Sequence, residues 1–123
     1  MTIERGLANF RQWALSVVDL LGADPDRQTA FMQESRVGAD EILLQFDDLL
    51  HVASARADDG SLKHEDHLLI KSIKEGTAAV SNGPDSIWTV EAIEESAEWR
   101  DLRVVARVAK ARLERSWAQE SDE

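Results

Sequence analysis

The sequence of 123 residues has no cysteine and no tyrosine. Without cysteine the chain has no disulfide bond, no thiolate metal ligand and no thiol nucleophile. The absence of disulfides is typical of proteins in reducing compartments, so we expect a cytoplasmic protein. Long apolar runs are also lacking, since none approaches the ~20 residues that a membrane-spanning helix needs. The first residues, Met1–Arg5, do not show the basic and then apolar pattern of an export signal. We therefore expect no membrane partner.

Helix-breaking residues are scarce, because the chain contains only two prolines and six glycines. Valine, isoleucine and threonine do not alternate with polar residues over the length of a strand, whereas alanine, leucine, glutamate, arginine and aspartate dominate. This composition predicts an all-α fold. Since the chain has the length of a typical domain, we predict one helical domain over residues 1–119, followed by a disordered acidic tail over residues 120–123.

The charge is strongly of one sign, with 24 acidic against 14 basic residues and a formal net charge of −10. Such a chain repels the phosphates of nucleic acids and is attracted to basic surfaces, so we expect no nucleic acid partner. The sequence also has no glycine-rich phosphate loop and no Gly-x-Ser-x-Gly nucleophile motif. We therefore predict neither catalysis nor a bound cofactor.

Glycine and proline mark where the predicted helices begin and end. Gly22 ends the first helix, and Asp24 followed by Pro25 begins the second, because a side-chain acceptor precedes a proline at the first helical position. Gly38 interrupts the apolar stripe of the second helix, which predicts either a kink or two helices. The Gly-Pro pair at residues 83–84 ends the third helix, which begins near Ser61.

The last predicted helix runs from about residue 86 to residue 117 without glycine or proline, which gives roughly 30 residues and ~45 Å. If the strand propensity of residues 86–90 prevails, this helix begins near Thr89 instead. The whole pattern predicts a four- to five-helix bundle with a long C-terminal helix.

The last helix has two apolar faces when successive residues are placed 100° apart. The first face holds three of the tryptophans and is predicted to be the core face: Trp88, Ala92, Trp99, Leu102, Ala106, Ala109, Leu113 and Trp117. The second face is the candidate interface: Val90, Ile93, Ala97, Val104, Val108 and Ala111. Large exposed apolar patches are uncommon on monomers, so the second face needs a cover.

Three kinds of contact would bury the second face. It would pack against another helix of the same chain, against a second copy of the chain or against a different protein. A break in the helix near Arg100 would instead place its residues on different sides. The length of the helix exceeds what a compact bundle needs, and this favours a homodimer. Two charged strips separate the faces and would pair between antiparallel copies. The basic strip is Arg100, Arg103, Arg107 and Lys110, and the acidic strip is Glu91, Glu94, Glu98 and Asp101.

The segment Lys63–His67 holds two histidines, His64 and His67, one helical turn apart, a spacing at which imidazoles bind metals. The helix phase set by Leu62 and Leu69 directs both histidines to solvent, so we predict no metal site. Asp66 falls on the buried stripe and needs a partner, which we expect to be the backbone at the helix start or an arginine of another helix. The alternative is a metal- or small-ligand-binding domain that uses the 58–67 segment: Asp58, Asp59, His64, Glu65 and His67.

These patterns favour a non-catalytic protein-interaction module that self-associates through its last helix. An acidic surface of this kind would also neutralise a basic protein partner, by steering the partner to it electrostatically. The residues of that predicted surface are Asp47, Asp48, Asp58, Asp59, Glu91, Glu94, Glu95 and Glu98.

Overall fold

The computed structural model of the protein describes residues 5–121, and within them the chain is all-α, without a strand. Seven α-helices and one short 3-10 helix follow one another in this part of the chain. They are α1 (Arg5–Leu21), α2 (Pro25–Ser35), α3 (Asp40–Asp58), α4 (His64–Lys71), α5 (Lys74–Ser81), the 3-10 helix (Asp85–Trp88), α6 (Val90–Glu95) and α7 (Ala97–Ser121). The predicted all-α bundle with a long C-terminal helix is confirmed.

Helix α7 is the central element, because it packs against α1, α4, α5 and α6, whereas α3 packs against α1 and α4. The predicted core face of α7 is buried, as shown by Trp99, Leu102, Ala106, Leu113 and Trp117. The indole of Trp99 donates a hydrogen bond of 2.8 Å to the carbonyl of Ile87, which anchors the 3-10 helix to α7. The apolar face of one helix therefore organises most of the bundle.

The second predicted helix divides into α2 and α3, one of the two outcomes that Gly38 predicted. The left-handed residue that ends α2 is Arg36, with φ of 56°, and not the glycine. The N–H of the next residue, Val37, returns to the carbonyl of Met32 at 3.0 Å and closes the helix end.

The third and the last predicted helices are each broken by a serine. The backbone of Ser96 is extended, and its N–H donates to the carbonyl of Ala92, which ends α6. Its hydroxyl accepts a hydrogen bond from the N–H of Trp99, which begins α7. One residue thus serves as the end of one helix and the N-cap of the next. The predicted single helix over 86–117 is therefore wrong, and α7 begins only at Ala97.

Between α4 and α5 the break lies at Ser72 and Ile73, where the Ile73 N–H bonds to the carbonyl three residues back, of Ile70. Helix α5 then crosses close to α7, because Gly76 has no side chain at the contact. A Cβ at Gly76 would lie 3.1 Å from Cδ1 of Leu102, tighter than ordinary contact. The glycine therefore sets how closely α5 approaches the centre of the bundle.

The predicted tail over residues 120–123 begins where the backbone is still helical, since α7 continues to Ser121. Asp122 and Glu123 lie outside the described residues, as does Ile3 at the start of the first predicted helix.

A polar network lies in the core where α1, α2 and α6 meet α7. Gln28 is fully buried and donates from Nε2 to the carbonyls of Leu20 and Leu21, the last residues of α1. Its Oε1 accepts from Nη1 of Arg103 at 3.1 Å, and the same nitrogen donates to the Ile93 carbonyl at 2.9 Å. Desolvation lowers the pKa of Arg103. The network satisfies helix-end carbonyls that have no partner within their own helices.

The predicted basic strip does not stay available for a second copy, since most of it binds the α1–α2 region of the same chain. Arg107 donates to the Gly22 carbonyl at 2.6 Å and pairs with Asp24 at 2.8 Å. Lys110 pairs with Asp19 at 2.7 Å. The prediction that this strip pairs between copies is therefore wrong for Arg103, Arg107 and Lys110.

We expect replacement of the buried arginine, Arg103→Met, to lower the free energy of unfolding by about 2–3 kcal/mol, because it leaves the Gln28 and Ile93 oxygens buried without their donor. Urea unfolding followed by far-UV circular dichroism measures this loss. The control is Arg100→Met, one turn earlier and exposed, for which we expect a change below about 0.5 kcal/mol. Equal effects of the two substitutions would show that the network adds nothing.

A second prediction concerns pH and Asp19. The hydrogen bond from Lys110 and the nearby Arg27 lower the pKa of Asp19 in the folded chain. A lowered pKa stabilises the fold above the unfolded pKa, about 3.9, and that contribution is lost as pH falls through the folded value. Stability of the wild type should therefore fall more between about pH 6 and pH 3 than that of Asp19→Asn. Urea midpoints at both pH values test this, with the exposed Asp48→Asn as control.

Candidate interaction surface

The second apolar face of the last helix divides at the break between α6 and α7. Val104 is 54% exposed and Val108 is 49% exposed on the outer side of α7, and Ala97 and Ala111 are exposed beside them. Ile93 is fully buried instead, because α6 ends at Glu95 and the helical phase does not continue into α7. Its prediction as an interface residue is wrong. Val90 lies on α6 and is 36% exposed.

The two exposed valines line an apolar groove between α4 and α7. Its volume is about 390 Å³. On the α4 side it is lined by Leu68, which is 48% exposed. The side chains that line it are mostly aliphatic: Leu68, Leu69, Val104, Val105, Val108 and Ala109, together with Glu65, Ser72 and Arg112. We call this feature the α4–α7 groove.

The α4 wall of the groove is held in place by a buried carboxylate. Asp66 is 2% exposed and accepts hydrogen bonds from the Ser116 hydroxyl and from the Trp117 indole, both at 2.9 Å. The prediction that Asp66 is buried is correct, but its partners are neither the backbone nor an arginine. Both partners lie on α7, so the carboxylate fixes the start of α4 to α7.

A polar cleft of about 350 Å³ lies next to the groove and shares Glu65, Leu69 and Arg112 with it. Lys63, Asp66, Arg115, Ser116 and Gln119 complete its lining. Arg112 and Arg115 are exposed, and neither forms an ion pair with another residue in the range 5–119. The outer face of α7 is therefore basic beyond the valines.

Before the valines the same face is acidic. Asp101 is exposed, and Glu98 is half-buried at the start of α7. Glu91, Glu94 and Glu95 are exposed on α6. The other predicted acidic residues, Asp47, Asp48, Asp58 and Asp59, are exposed or partly exposed on α3 and at its end. The predicted acidic surface is therefore distributed over two regions, since α3 packs against α1 and α4 whereas α6 packs against α2 and α7.

The metal candidates of the 58–67 segment have separate local roles. The carboxylate of Asp59 accepts a hydrogen bond of 2.8 Å from the Ser61 N–H, which closes the turn after α3. The hydrogen bonds with Ser61 lower the pKa of Asp59. His67 is half-buried, contrary to its predicted exposure, because its Nε2 bonds to the hydroxyl of Ser54 on α3 at 3.2 Å. His64 is exposed. Among the described residues, no three histidine, aspartate or glutamate side chains come together as a metal site.

Three residues of this surface, Leu68, Arg112 and Arg115, are absent from the predicted interface. Their roles depend on α4 packing along α7, which joins residues far apart in the sequence. The adjacent leucines 68 and 69 were the available signal, because two neighbouring apolar residues of a helix cannot both point directly at the core.

Comparison of the chain with protein-family models, curated protein sequences and solved structures gave no match. In the part of the chain that the structure describes, no helix has the length and apolarity needed to cross a membrane. The surface itself is therefore the basis for a functional proposal.

The carboxylate of Asp66 should be needed to keep α4 packed against α7 at the groove. We expect Asp66→Asn to lower the free energy of unfolding by about 2 kcal/mol, because an amide oxygen accepts less strongly and its NH₂ group opposes a donor. Urea unfolding followed by tryptophan fluorescence measures the loss and reports on Trp117. The adjacent, exposed Glu65→Gln is the matched control. Unchanged stability of Asp66→Asn would contradict the assigned role.

Proposed function

We propose that the protein is a non-catalytic interaction module that associates with itself through the α4–α7 groove and the outer face of α7. The observation that carries this proposal is the cluster of Leu68, Val104 and Val108, each about half exposed and all lining one groove. Single exposed apolar residues are normal, and Leu44 or Trp13 needs no explanation. Three in one groove form a surface that gains free energy when it is covered.

Covering this cluster contributes part of the free energy of association. Full burial of a valine or leucine contributes about 1.5–3 kcal/mol, so completing the burial of three half-exposed side chains contributes roughly 3 kcal/mol per copy. A symmetric contact uses the cluster twice. The remaining affinity must come from the flanking side chains, which also determine the partner.

The polar cleft beside the groove supports a non-catalytic interpretation. Ser116 is the hydroxyl-bearing residue that lines it, and this hydroxyl donates to Asp66. Of the described residues that line the cleft, none is a histidine that would activate a nucleophile. The carboxylate acts as a structural acceptor for α7.

The double variant Val104→Glu/Val108→Glu tests the proposal. We expect wild-type protein to self-associate, and we expect the variant to weaken association by at least about 100-fold, because burying two carboxylates without partners costs more than the apolar contact contributes. Sedimentation velocity over a concentration series measures both. The matched control is Leu44→Glu, since Leu44 has the same 48% exposure as Leu68 but lies on α3.

Association that survives the double substitution would contradict the use of this surface. A wild type that stays monomeric but binds a basic protein in a salt-dependent way, unaffected by the valine substitutions, would replace self-association with the neutralising role.

A further inference from the structure

We infer that the partner at this surface is a second copy of the chain that lies antiparallel along α7, with Asp101 of each copy beside Arg112 of the other. This inference rests on the proposed function and adds the identity and the orientation of the partner. It follows from the order of charges along the outer face of α7.

The flank of the outer face that lies toward α4 changes sign from one end to the other. Glu98 and Asp101 precede the valines, and Arg112 and Arg115 follow them. Within residues 5–119 none of these four side chains has an ion pair in its own chain. The basic side chains that are satisfied within the chain, Arg107 and Lys110, lie on the opposite flank. On the flank of α7 beside the groove, these four charges have no ion pair among residues 5–119.

A two-fold axis between Ala106 and Arg107 makes this face complementary to itself. Reversal about that point places residue 101 opposite residue 112, and residue 98 opposite residue 115, so that each carboxylate meets a guanidinium. The same axis brings Val105 opposite Val108 and centres the apolar cluster. An antiparallel two-fold contact pairs residues of the same flank. Arg112 lines the groove beside α4, and Asp101 lies on the same flank, about 20° from Arg112 around the helix axis.

The other flank is also compatible with this arrangement. Arg100 and Glu114 are exposed there, and the same axis brings Arg100 to within one residue of Glu114 of the second copy. Opposite charges therefore approach on both sides of the valines.

Other occupants fit the charges less well. A parallel copy would keep residue 101 level with residue 101 and about 16 Å along the axis from residue 112, so the Asp101–Arg112 pairs would not form. A strongly basic protein would meet Arg112 and Arg115 beside the groove. An acidic protein would meet Glu98 and Asp101. A partner must carry the reversed order of charges, and a second copy carries it by symmetry.

The dimensions indicate a weak dimer. The face from Ala97 to Arg115 is about 27 Å long at 1.5 Å per residue, and with α4 beside it the contact lies at the small end of specific interfaces. We therefore expect a dissociation constant on the order of 10 μM, which places the experiment between about 1 and 300 μM.

Charge reversal at the two positions tests the orientation. We expect Asp101→Arg and Arg112→Asp each to weaken self-association by about tenfold, because each reversal creates two like-charge pairs per dimer. The double variant Asp101→Arg/Arg112→Asp restores both pairs with exchanged roles and should associate within about twofold of wild type. An equimolar mixture of the two single variants should also recover, because the arginine introduced in the first variant then meets the aspartate introduced in the second.

Sedimentation velocity measures wild type, the three variants and the mixture, and added salt should reduce the differences between them. Asp47→Arg and Lys74→Asp are controls that make the same kinds of charge change at exposed positions on α3 and α5. Thermal melts confirm that every variant is folded.

The outcomes separate this inference from the proposed function. If wild type dimerises through the valines but the single reversals leave the affinity unchanged, or the double variant fails to recover, the antiparallel pairing is overturned and the groove remains the interface. If wild type is monomeric across the range, both proposals fail.

Discussion

A buried guanidinium at the middle of the bundle is the constraint on which the orientation of the central helix depends. Among the residues that the structure describes, Arg103 forms no ion pair, and its hydrogen bonds go to the amide of Gln28 and to the carbonyl of Ile93. Gln28 in turn binds the last carbonyls of α1. The charge is therefore accommodated by the negative ends of two helices. Because successive residues are 100° apart, directing Arg103 into the core leaves Val104 on the outside.

Much of the fold could be predicted because many helices begin or end at glycine or proline, which interrupt a helix in most contexts. Gly22, Pro25 and the Gly-Pro pair at 83–84 end or begin helices at the predicted places. The breaks at Ser72 and Ser96 could not be placed in the same way. Serine is compatible with a helix interior, and it becomes an N-cap only where packing makes the backbone turn, as Trp99 does for Ser96.

The candidate surface was predictable in part for the same reason. Val104 and Val108 lie within one uninterrupted helix, so their shared exposed face followed from periodicity. Ile93 was assigned to that face by continuing the periodicity through Ser96, where it does not hold. Arg103 was not distinguishable from its neighbours in the basic strip, because its partner Gln28 is 75 positions away. Contacts at such separation are decided by the packing of whole helices.

The position of α7 in the chain has a consequence for how the protein is made. Every helix that α7 packs against, α1, α4, α5 and α6, precedes it in the sequence and leaves the ribosome earlier. Until Trp117 emerges, Asp66 lacks its two donors, and the apolar sides of those helices have no central helix to cover them. The bundle therefore cannot be completed before α7 has been synthesised, and the earlier helices must stay apart or be shielded until then.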